Sequence, residues 1–238
     1  MQSIANKTVL ITGGSKGIGY GVAESLIKEN AKVAITGRSK ETVDAAIALL
    51  NKIGKDQAIG IVADVRRFED QQKAVEHVVK KWGSLDVMVA NAGVGYFSPI
   101  ETLTAEQWQE TIDTNLTGVF FSIKASLEAL KKSKGYIITM ASLAGTNFFA
   151  GASAYNASKF GLVGFTQAVM LDVRSQGIKV TTIMPGSVAT EFNNHQPSPA
   201  DAWKIQPEDI GQIVVDLLKM NPRTLPSKIE VRPSMPKG

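Results

Sequence analysis

A tyrosine and a lysine stand four residues apart in the segment Tyr155-Asn156-Ala157-Ser158-Lys159. Residues at this spacing share one face of a helix, so the phenol and the ammonium can point into the same cleft. A free phenol titrates near pH ~10, and a nearby cation favours its ionised form. We therefore expect Lys159 to lower the pKa of Tyr155, which would make the phenol a proton donor and acceptor near neutrality.

Two polar residues elsewhere are predicted to complete this group. Ser142 follows a predicted strand, and from there its hydroxyl would reach the same cleft and hydrogen-bond a reacting carbonyl oxygen. Asn115 lies inside a predicted long helix, which is an unusual position for asparagine. Its side chain or a local kink would hold a water that links Lys159 to solvent. The predicted catalytic residues are Asn115, Ser142, Tyr155 and Lys159.

The elements that position these residues alternate along the chain between short apolar, β-branched runs and longer amphipathic stretches. Such alternation folds as a parallel sheet with right-handed crossovers and helices on both faces. We expect a single α/β domain, residues 1–238, built on a Rossmann-type doubly wound parallel sheet of about seven strands that binds ligands at the carboxyl ends of the strands. Strands are predicted at residues 8–12, 32–36, 58–62, 87–90, 136–140, 180–184 and about 227–231. Helices are predicted at residues 17–29, 40–53, 68–82, 105–132, 154–176 and 207–220.

A glycine-rich turn follows the first strand and leads into the first helix, with the sequence Thr12-Gly13-Gly14-Ser15-Lys16-Gly17-Ile18-Gly19. Its glycines let the backbone turn tightly and approach a ligand, and the helix N-terminus offers free amides and a positive dipole end. The spacing is Gly-x-x-x-Gly-x-Gly rather than Gly-x-Gly-x-x-Gly, and a plain strand-to-helix turn is the alternative. We predict a pyrophosphate site formed by Gly13, Ser15, Lys16, Gly17, Ile18 and Gly19.

The end of the second strand reads Thr36-Gly37-Arg38-Ser39. A dinucleotide fold that selects NAD usually places Asp or Glu here to bind the ribose hydroxyls. This chain has no carboxylate at that place, while Arg38, Ser39 and the nearby Lys16 suit a 2′-phosphate. The sequence therefore predicts NADP(H) in preference to NAD(H); surface charges without a ligand are the alternative.

Two further strand ends carry residues that suit the adenosine half of a dinucleotide. Asp64-Val65 follows the third strand, where a carboxylate can accept a hydrogen bond from an adenine amino group. Asn91-Ala92-Gly93 follows the fourth strand, where small residues let a ribose lie close to the backbone. Ordinary turn chemistry explains either segment equally well.

Together these motifs resemble the classical short-chain dehydrogenase/reductase (SDR) family, in the family's order and over essentially the whole chain. The resemblance implies an Asn-Ser-Tyr-Lys tetrad, with Tyr155 as general acid/base and Lys159 on the nicotinamide ribose. It also implies that the loop with Pro185, Gly186, Val188 and Thr190 meets the nicotinamide carboxamide. A homotetramer is implied as well, with a dimer as the alternative, in which the helices containing Trp108 and Phe165 pack across subunits.

The predicted substrate pocket is mainly apolar, which favours a hydrophobic or mixed ketone over a small charged acid. A polar stretch at about residues 191–206, with Pro197 and Pro199, is predicted to form a short substrate lid. The alternative position for Phe148 and Phe149 is the core or a subunit contact. The predicted lining residues are Val94, Tyr96, Phe97, Leu143, Ala144, Phe148, Phe149, Phe192 and Trp203.

Composition narrows the function classes further. The chain has no cysteine and only two histidines, His77 and His195, so we expect no metal site. The net charge of +4 comes from scattered residues, which argues against a nucleic-acid partner. The N-terminus lacks the pattern of a signal peptide and no apolar run reaches the ~20 residues of a membrane span, so we expect a cytoplasmic protein without a membrane partner.

The residues favour an NADPH-dependent oxidoreductase that interconverts a ketone or aldehyde and an alcohol. They leave the substrate open between pterins, diketones, 3-oxoacyl compounds and 3-hydroxy acids. The chain ends in Glu230-Val231-Arg232-Pro233-Ser234, unlike the small apolar tail of the family's acyl-carrier-protein reductases. The rival outside this class is a non-catalytic NADP(H)-sensing binding protein, although such relatives usually lack the tyrosine or the lysine.

Overall fold

The computed structural model describes residues 2–235, so Met1 and residues 236–238 of the predicted domain lie outside the described residues. Seven strands form one parallel sheet in the order β3-β2-β1-β4-β5-β6-β7. This confirms the predicted doubly wound α/β fold with its seventh strand. The strands are β1 (Thr8–Ile11), β2 (Lys32–Gly37), β3 (Ala58–Val62), β4 (Val87–Ala90), β5 (Tyr136–Met140), β6 (Lys179–Pro185) and β7 (Lys228–Val231).

The central strands are apolar because helices cover both faces of the sheet. Every residue of β1, β4 and β5 is buried, whereas residues of the edge strands β3 and β7 alternate between more buried and more exposed. The parallel register pairs Leu10 of β1 with Ala34 on one side and Met88 on the other. Short, fully apolar runs thus mark the centre of the sheet, as the sequence predicts.

The described residues form seven α-helices, and the apolar faces of six of them pack on the sheet in two separate cores. Helices α1, α2 and α7 pack on one face, while α3, α5 and α6 pack on the other. Among the described residues, we find no helix with the length and apolar character needed to cross a membrane. The helices are α1 (Gly17–Lys28), α2 (Lys40–Ile53), α3 (Phe68–Trp82), α4 (Ala105–Ile112), α5 (Gly118–Ser133), α6 (Ser153–Val173) and α7 (Pro207–Lys219).

The single helix predicted at residues 105–132 is wrong, because a π-helical turn, Asp113–Thr117, separates α4 from α5. The flanking residues Ile112 and Gly118 keep right-handed helical backbone angles. The chain is therefore helical on both sides of the turn, and the sequence pattern of the two helices looks like that of one. A π turn accommodates one extra residue, and such turns are frequent at functional sites. Here it carries Asn115, whose side chain is fully buried. The backbone at this residue thus departs from a regular α-helix, as a π-helical turn.

The strand order places a ligand site at the carboxyl end of β1. Since β1 lies between β2 and β4, the connection to β2 leaves on one side and the later chain returns on the other. Open α/β sheets bind ligands in the crevice at such a switch point. The turn after β1, the ends of β2, β4 and β5, and the loop after β6 all meet at this edge.

Candidate active site

A large open cavity runs along the carboxyl edge of the sheet, with a volume of about 1490 Å³. It is lined by residues from five strand ends and by the segment after β6. All predicted site residues line this cavity except Gly19 and Asn115. The tertiary structure therefore brings the predicted phosphate turn and the tyrosine–lysine pair into one continuous space.

The turn after β1 forms a cradle that a side chain would fill. Gly13 has a φ of +64°, and a Cβ added there would lie 2.9 Å from the Cα of Ala92. Helix α1 starts next to it with no side-chain cap and no acidic residue in its first turn. Its N-terminal amides are therefore available to an anion, with the positive end of the helix dipole behind them. This backbone fits a pyrophosphate.

Gly19 is buried beneath the cradle instead of lining it. A Cβ at this position would lie 2.5 Å from the side-chain Nδ2 of Asn91 and 2.5 Å from the backbone carbonyl oxygen of Gly13. Asn91 in turn donates hydrogen bonds to the carbonyl oxygens of Thr12 (2.9 Å) and Gly13 (3.0 Å). Gly19 and Asn91 thus support the turn from below, and Ala92 and Gly93 line the cavity above it.

Charged residues gather at the far end of the cavity, at the ends of β2 and β3. Arg38 is exposed there, and its guanidinium lies 3.5 Å from the carboxylate of Glu110 on α4. Arg66 binds Asp64 at 2.6 Å and also approaches Glu110 at 3.6 Å. The hydrogen bond with Arg66 holds the pKa of the Asp64 carboxyl below its ordinary value. Two guanidinium groups and two carboxylates thus meet at this end, where Arg38 and Asp64 line the cavity and Arg66 and Glu110 lie outside its lining.

The sequence prediction missed Glu110 and Arg66 in this group. Arg66 lies two residues after the predicted Asp64, so turn geometry gave a weak signal for it. Glu110 is separated from Arg38 by 72 residues, and no local pattern joins them. Ser39 lines the cavity as predicted, but its hydroxyl already accepts a hydrogen bond from the Thr42 amide as the N-cap of α2.

The tyrosine–lysine pair sits at the middle of the cavity, on the first turns of α6. The Lys159 Nζ lies 5.6 Å from the centroid of the Tyr155 ring and donates a hydrogen bond to the carbonyl oxygen of Met140 at 2.9 Å. Lys159 is buried, and burial lowers the pKa of its ammonium to about 8. The common helix face predicted from the spacing is thus present.

In the coenzyme-free protein the pKa of the Tyr155 phenol is raised, opposite to the lowering expected from Lys159 together with a bound nicotinamide. Burial raises the pKa of the Tyr155 phenol, and a hydrogen bond with Ser142 opposes this rise only in part. The reason is that desolvation disfavours the phenolate, while the Lys159 ammonium donates to the Met140 carbonyl and lies 5.6 Å from the centroid of the ring. The phenol therefore stays protonated near neutral pH, and burial makes it a weaker acid.

Asn115 lies behind the cavity wall, and its side chain makes three hydrogen bonds to protein atoms. Its Oδ1 accepts from the Val94 amide at 2.8 Å, and its Nδ2 donates to the Val94 carbonyl at 2.8 Å and to the Ser158 hydroxyl at 3.0 Å. Both amide protons are thereby engaged within the protein. The Oδ1 has a second lone pair, so the side chain and the backbone both stay predicted ways of holding a water.

The loop after β6 closes the other side of the cavity. Ser142 donates to the carbonyl oxygen of Pro185 at 3.4 Å, and its oxygen accepts from the Ala144 amide at 3.1 Å. Val188 pairs with Ile205 in an isolated parallel bridge that ties this loop to residues just before α7. Thr190 is largely buried and packs against Gly17 of the phosphate turn.

Most of the predicted pocket residues line the cavity, and two do not. Tyr96 points away and donates its hydroxyl to Glu110 at 2.5 Å. Phe148 is 85% exposed and lies outside the cavity lining. The two predictions are wrong because adjacent loop residues face opposite ways. The predicted residues that do line the cavity are Val94, Phe97, Leu143, Ala144, Phe149, Phe192 and Trp203.

The segment at residues 191–206 has a polar anchor of its own. Asp201 is buried and accepts from His195 at 2.7 Å, from Lys204 at 2.6 Å and from the Ser198 amide at 3.0 Å. These bonds hold the pKa of the Asp201 carboxyl well below its ordinary value. His195 and Lys204 also line the cavity, which the sequence did not indicate.

The fold and the cavity define an α/β protein of the Rossmann type with a tyrosine–lysine pair at the switch point of its sheet. A family model described as short chain dehydrogenase matches residues 7–201. An uncharacterized oxidoreductase of Staphylococcus aureus (strain MRSA252) is 30% identical over 234 residues, 98% of this chain and 100% of that protein. The chain belongs to the short-chain dehydrogenase family.

Solved structures agree with this assignment. An alcohol dehydrogenase from the archaeon Thermococcus sibiricus, complexed with 5-hydroxy-NADP, superimposes with a TM-score of 0.91 and 26% identity over 98% of each chain. A metagenomic short-chain oxidoreductase in complex with NADP superimposes with a TM-score of 0.86 and 29% identity, covering 99% of this chain and 100% of that one.

Proposed function

We propose that this protein is an NADPH-dependent oxidoreductase that interconverts a ketone or aldehyde and the corresponding alcohol. The observation that carries the proposal is that one cavity holds an anion cradle at one end and the Tyr155 phenol, beside Lys159 and Ser142, in its middle. Such a layout suits a dinucleotide whose reactive ring lies next to a proton donor. The family membership supports the same class of reaction.

In this proposal each polar group acts on a defined atom. The cradle at Gly13 and the Lys159 ammonium would hold a reduced dinucleotide, which would supply the hydride to the carbonyl carbon. Tyr155, which burial keeps protonated, donates its proton to the carbonyl oxygen. Ser142 hydrogen-bonds the same oxygen and orients it. Lys159 offers an ammonium to the ribose hydroxyls and, through them, positive charge near the phenol.

The coenzyme would bind along the lining already described. The cradle at Gly13 and the N-terminus of α1 would hold the pyrophosphate, and Asp64 and Asn91 lie where the adenosine half would rest. At the far end, Arg38 and Lys16 would bind a 2′-phosphate. The NADP compounds in two similar structures support this choice. The further predicted contacts are Ser15, Gly17, Ile18, Ser39, Val65, Ala92, Gly93, Pro185, Gly186, Val188 and Thr190.

The choice of coenzyme is tested by Arg38→Ala. A charge-assisted hydrogen bond contributes about 1.5–3 kcal/mol, so we expect NADPH binding to weaken about 10- to 100-fold while NADH binding changes little. Glu110→Gln removes the carboxylate that pairs with Arg38, and we expect tighter NADPH binding. Lys40→Ala, at an exposed neighbouring lysine, is the control. An equal change in affinity for NADPH and NADH would show that Arg38 does not bind the 2′-phosphate.

The reaction is tested by following NADPH absorbance with a panel of ketones, diketones, pterins and 3-oxoacyl thioesters. We expect Tyr155→Phe to lower kcat/KM about 100-fold or more, because general acid catalysis contributes at least that factor. Tyr20→Phe, at a tyrosine outside the cavity lining, is the control. Undiminished turnover in Tyr155→Phe would show that another group donates the proton. Coenzyme binding without turnover on the whole panel would favour a sensor.

We also propose that the protein assembles into a homotetramer. Helices α4, α5 and α6 carry large apolar side chains on the surface, among them Trp108 (41% exposed), Phe120 (44%) and Leu171 (57%). Phe165 is only partly buried and packs against Phe120. Exposed apolar area of this kind is typical of subunit contacts. Light scattering measures the mass, and a monomer would contradict the proposal.

A further inference from the structure

Aromatic rings surround the face of Tyr155 on the substrate side of the cavity. The centroid of the Tyr155 ring lies 5.4 Å from that of Phe97 and 5.7 Å from that of Phe192. Phe97 also contacts Phe192 at 6.3 Å and Phe149 at 5.9 Å. The three phenylalanines come from three different segments, after β4, after β5 and after β6. We call Phe97, Phe149 and Phe192 the aromatic wall.

A buried glycine fixes the position of one of these rings. A Cβ added to Gly95 would lie 2.6 Å from the Cζ and 2.8 Å from the Cε1 of Phe192. The Phe192 ring therefore rests directly on the backbone of Gly95, in space that any other residue would occupy. This contact holds the ring beside Tyr155, so Gly95 acts as a positioning residue for the aromatic wall.

The rings of the aromatic wall keep a large part of their surface uncovered. Phe192 is 36% exposed, Phe97 43% and Phe149 52%. Uncovered apolar surface that lines a cavity marks a ligand site. Two cations that line the same end already have partners, because Lys204 binds Asp201 and Arg232 binds Glu230. These pairs leave the apolar rings as the main groups for a substrate beside the phenol.

We propose that Phe192, held by Gly95, sets the substrate choice of this site, and that the preferred substrates are aryl ketones. The inference rests on the proposed carbonyl reduction at Tyr155. Phe97 and Phe192 touch each other, so the ring of the substrate packs on their uncovered faces and does not slide between them. From there its carbonyl oxygen reaches the Tyr155 hydroxyl.

The test compares acetophenone with cyclohexyl methyl ketone, which carries a saturated ring of the same size. With NADPH, kcat/KM is measured for both ketones in the wild type, Phe192→Leu and Gly95→Ala. The quantity of interest is the ratio of the two kcat/KM values relative to the wild-type ratio, because this cancels the intrinsic reactivity of each ketone. An aromatic pair contributes 0.5–1.5 kcal/mol beyond area burial, so Phe192→Leu should lower the ratio about 2- to 12-fold.

Gly95→Ala should lower the ratio in the same direction, because the added methyl displaces the Phe192 ring. Phe148→Leu, at a phenylalanine that is 85% exposed and outside the cavity lining, should leave the ratio unchanged. Thermal melts check that each variant is folded. If Gly95→Ala does not fold, Phe192→Leu tests the proposal by itself.

The outcomes separate this inference from the proposed function. An unchanged ratio in folded Phe192→Leu overturns the role of Phe192. Reduction of cyclohexyl methyl ketone without any reduction of acetophenone overturns the aryl preference and leaves the oxidoreductase function standing. A wild type that reduces neither these two ketones nor the wider panel overturns both.

Discussion

Lys159 should destabilise the coenzyme-free protein, and replacing it should make the fold more stable. The side chain is only 4% exposed, and burial lowers the pKa of its ammonium from 10.5 to about 8. One pKa unit corresponds to about 1.36 kcal/mol, so at pH 7 the charged form costs the folded state about 3 kcal/mol relative to the unfolded chain.

Methionine has a similar length and no charge, which makes Lys159→Met the appropriate change. The variant loses the hydrogen bond from Lys159 to the Met140 carbonyl, which offsets about 1 kcal/mol of the gain. We therefore expect a net stabilisation of about 2 kcal/mol at pH 7, or an increase in Tm of about 4–8 °C for a chain of this size. The same change should abolish turnover.

The pH dependence gives a sharper measurement of the same effect. Between pH 8 and pH 10.5 the unfolded chain binds more protons at this lysine than the folded protein does. The free energy of unfolding of the wild type therefore rises relative to that of Lys159→Met between pH 8 and pH 10.5, and the difference between the two proteins becomes smaller. Urea denaturation without coenzyme at pH 7, 8, 9 and 10 measures both proteins.

The control is Lys132→Met, which removes a lysine from an exposed position on α5. We expect no stabilisation from this change, because the Lys132 side chain keeps its contact with water. The reasoning is refuted if Lys159→Met is less stable than the wild type at pH 7 and the difference stays constant up to pH 10. That result would mean that the Lys159 ammonium is well solvated in the folded protein.

Two further predictions concern polar groups that support the site. Asn115→Ala should lower the free energy of unfolding by about 2–4 kcal/mol, because the Val94 amide and carbonyl lose their partners. Urea denaturation measures this change. Unchanged stability would mean that water replaces the side chain. Asp201→Asn should speed proteolysis of residues 191–206 at pH 7, since the carboxylate that His195 and Lys204 share is lost. The pKa of Asp201 is lowered in the fold, so its contribution is present above about pH 4 and fades in the wild type as the pH falls below that value.

The sequence by itself predicted the sheet closely. Three strands and two helices have the predicted bounds, and the remaining strands differ by a residue or so at an end. Fully buried strands between covering helices leave a strong local pattern of apolar residues, and glycine and proline mark the turns. The tyrosine–lysine pair was equally visible, because a helix brings residues four apart onto one face whatever the rest of the chain does.

The tertiary structure alone decided which distant groups meet and how deeply they are buried. Glu110 pairs with Arg38 across 72 residues, and Asn115 in the π turn bonds to Val94, a contact that no helical period encodes. The pKa of Tyr155 rises although a cation was expected to lower it, because burial depends on the whole cavity and spacing does not report it. Local sequence thus fixes elements and shared faces, whereas desolvation and long-range pairing exist only once those elements have packed.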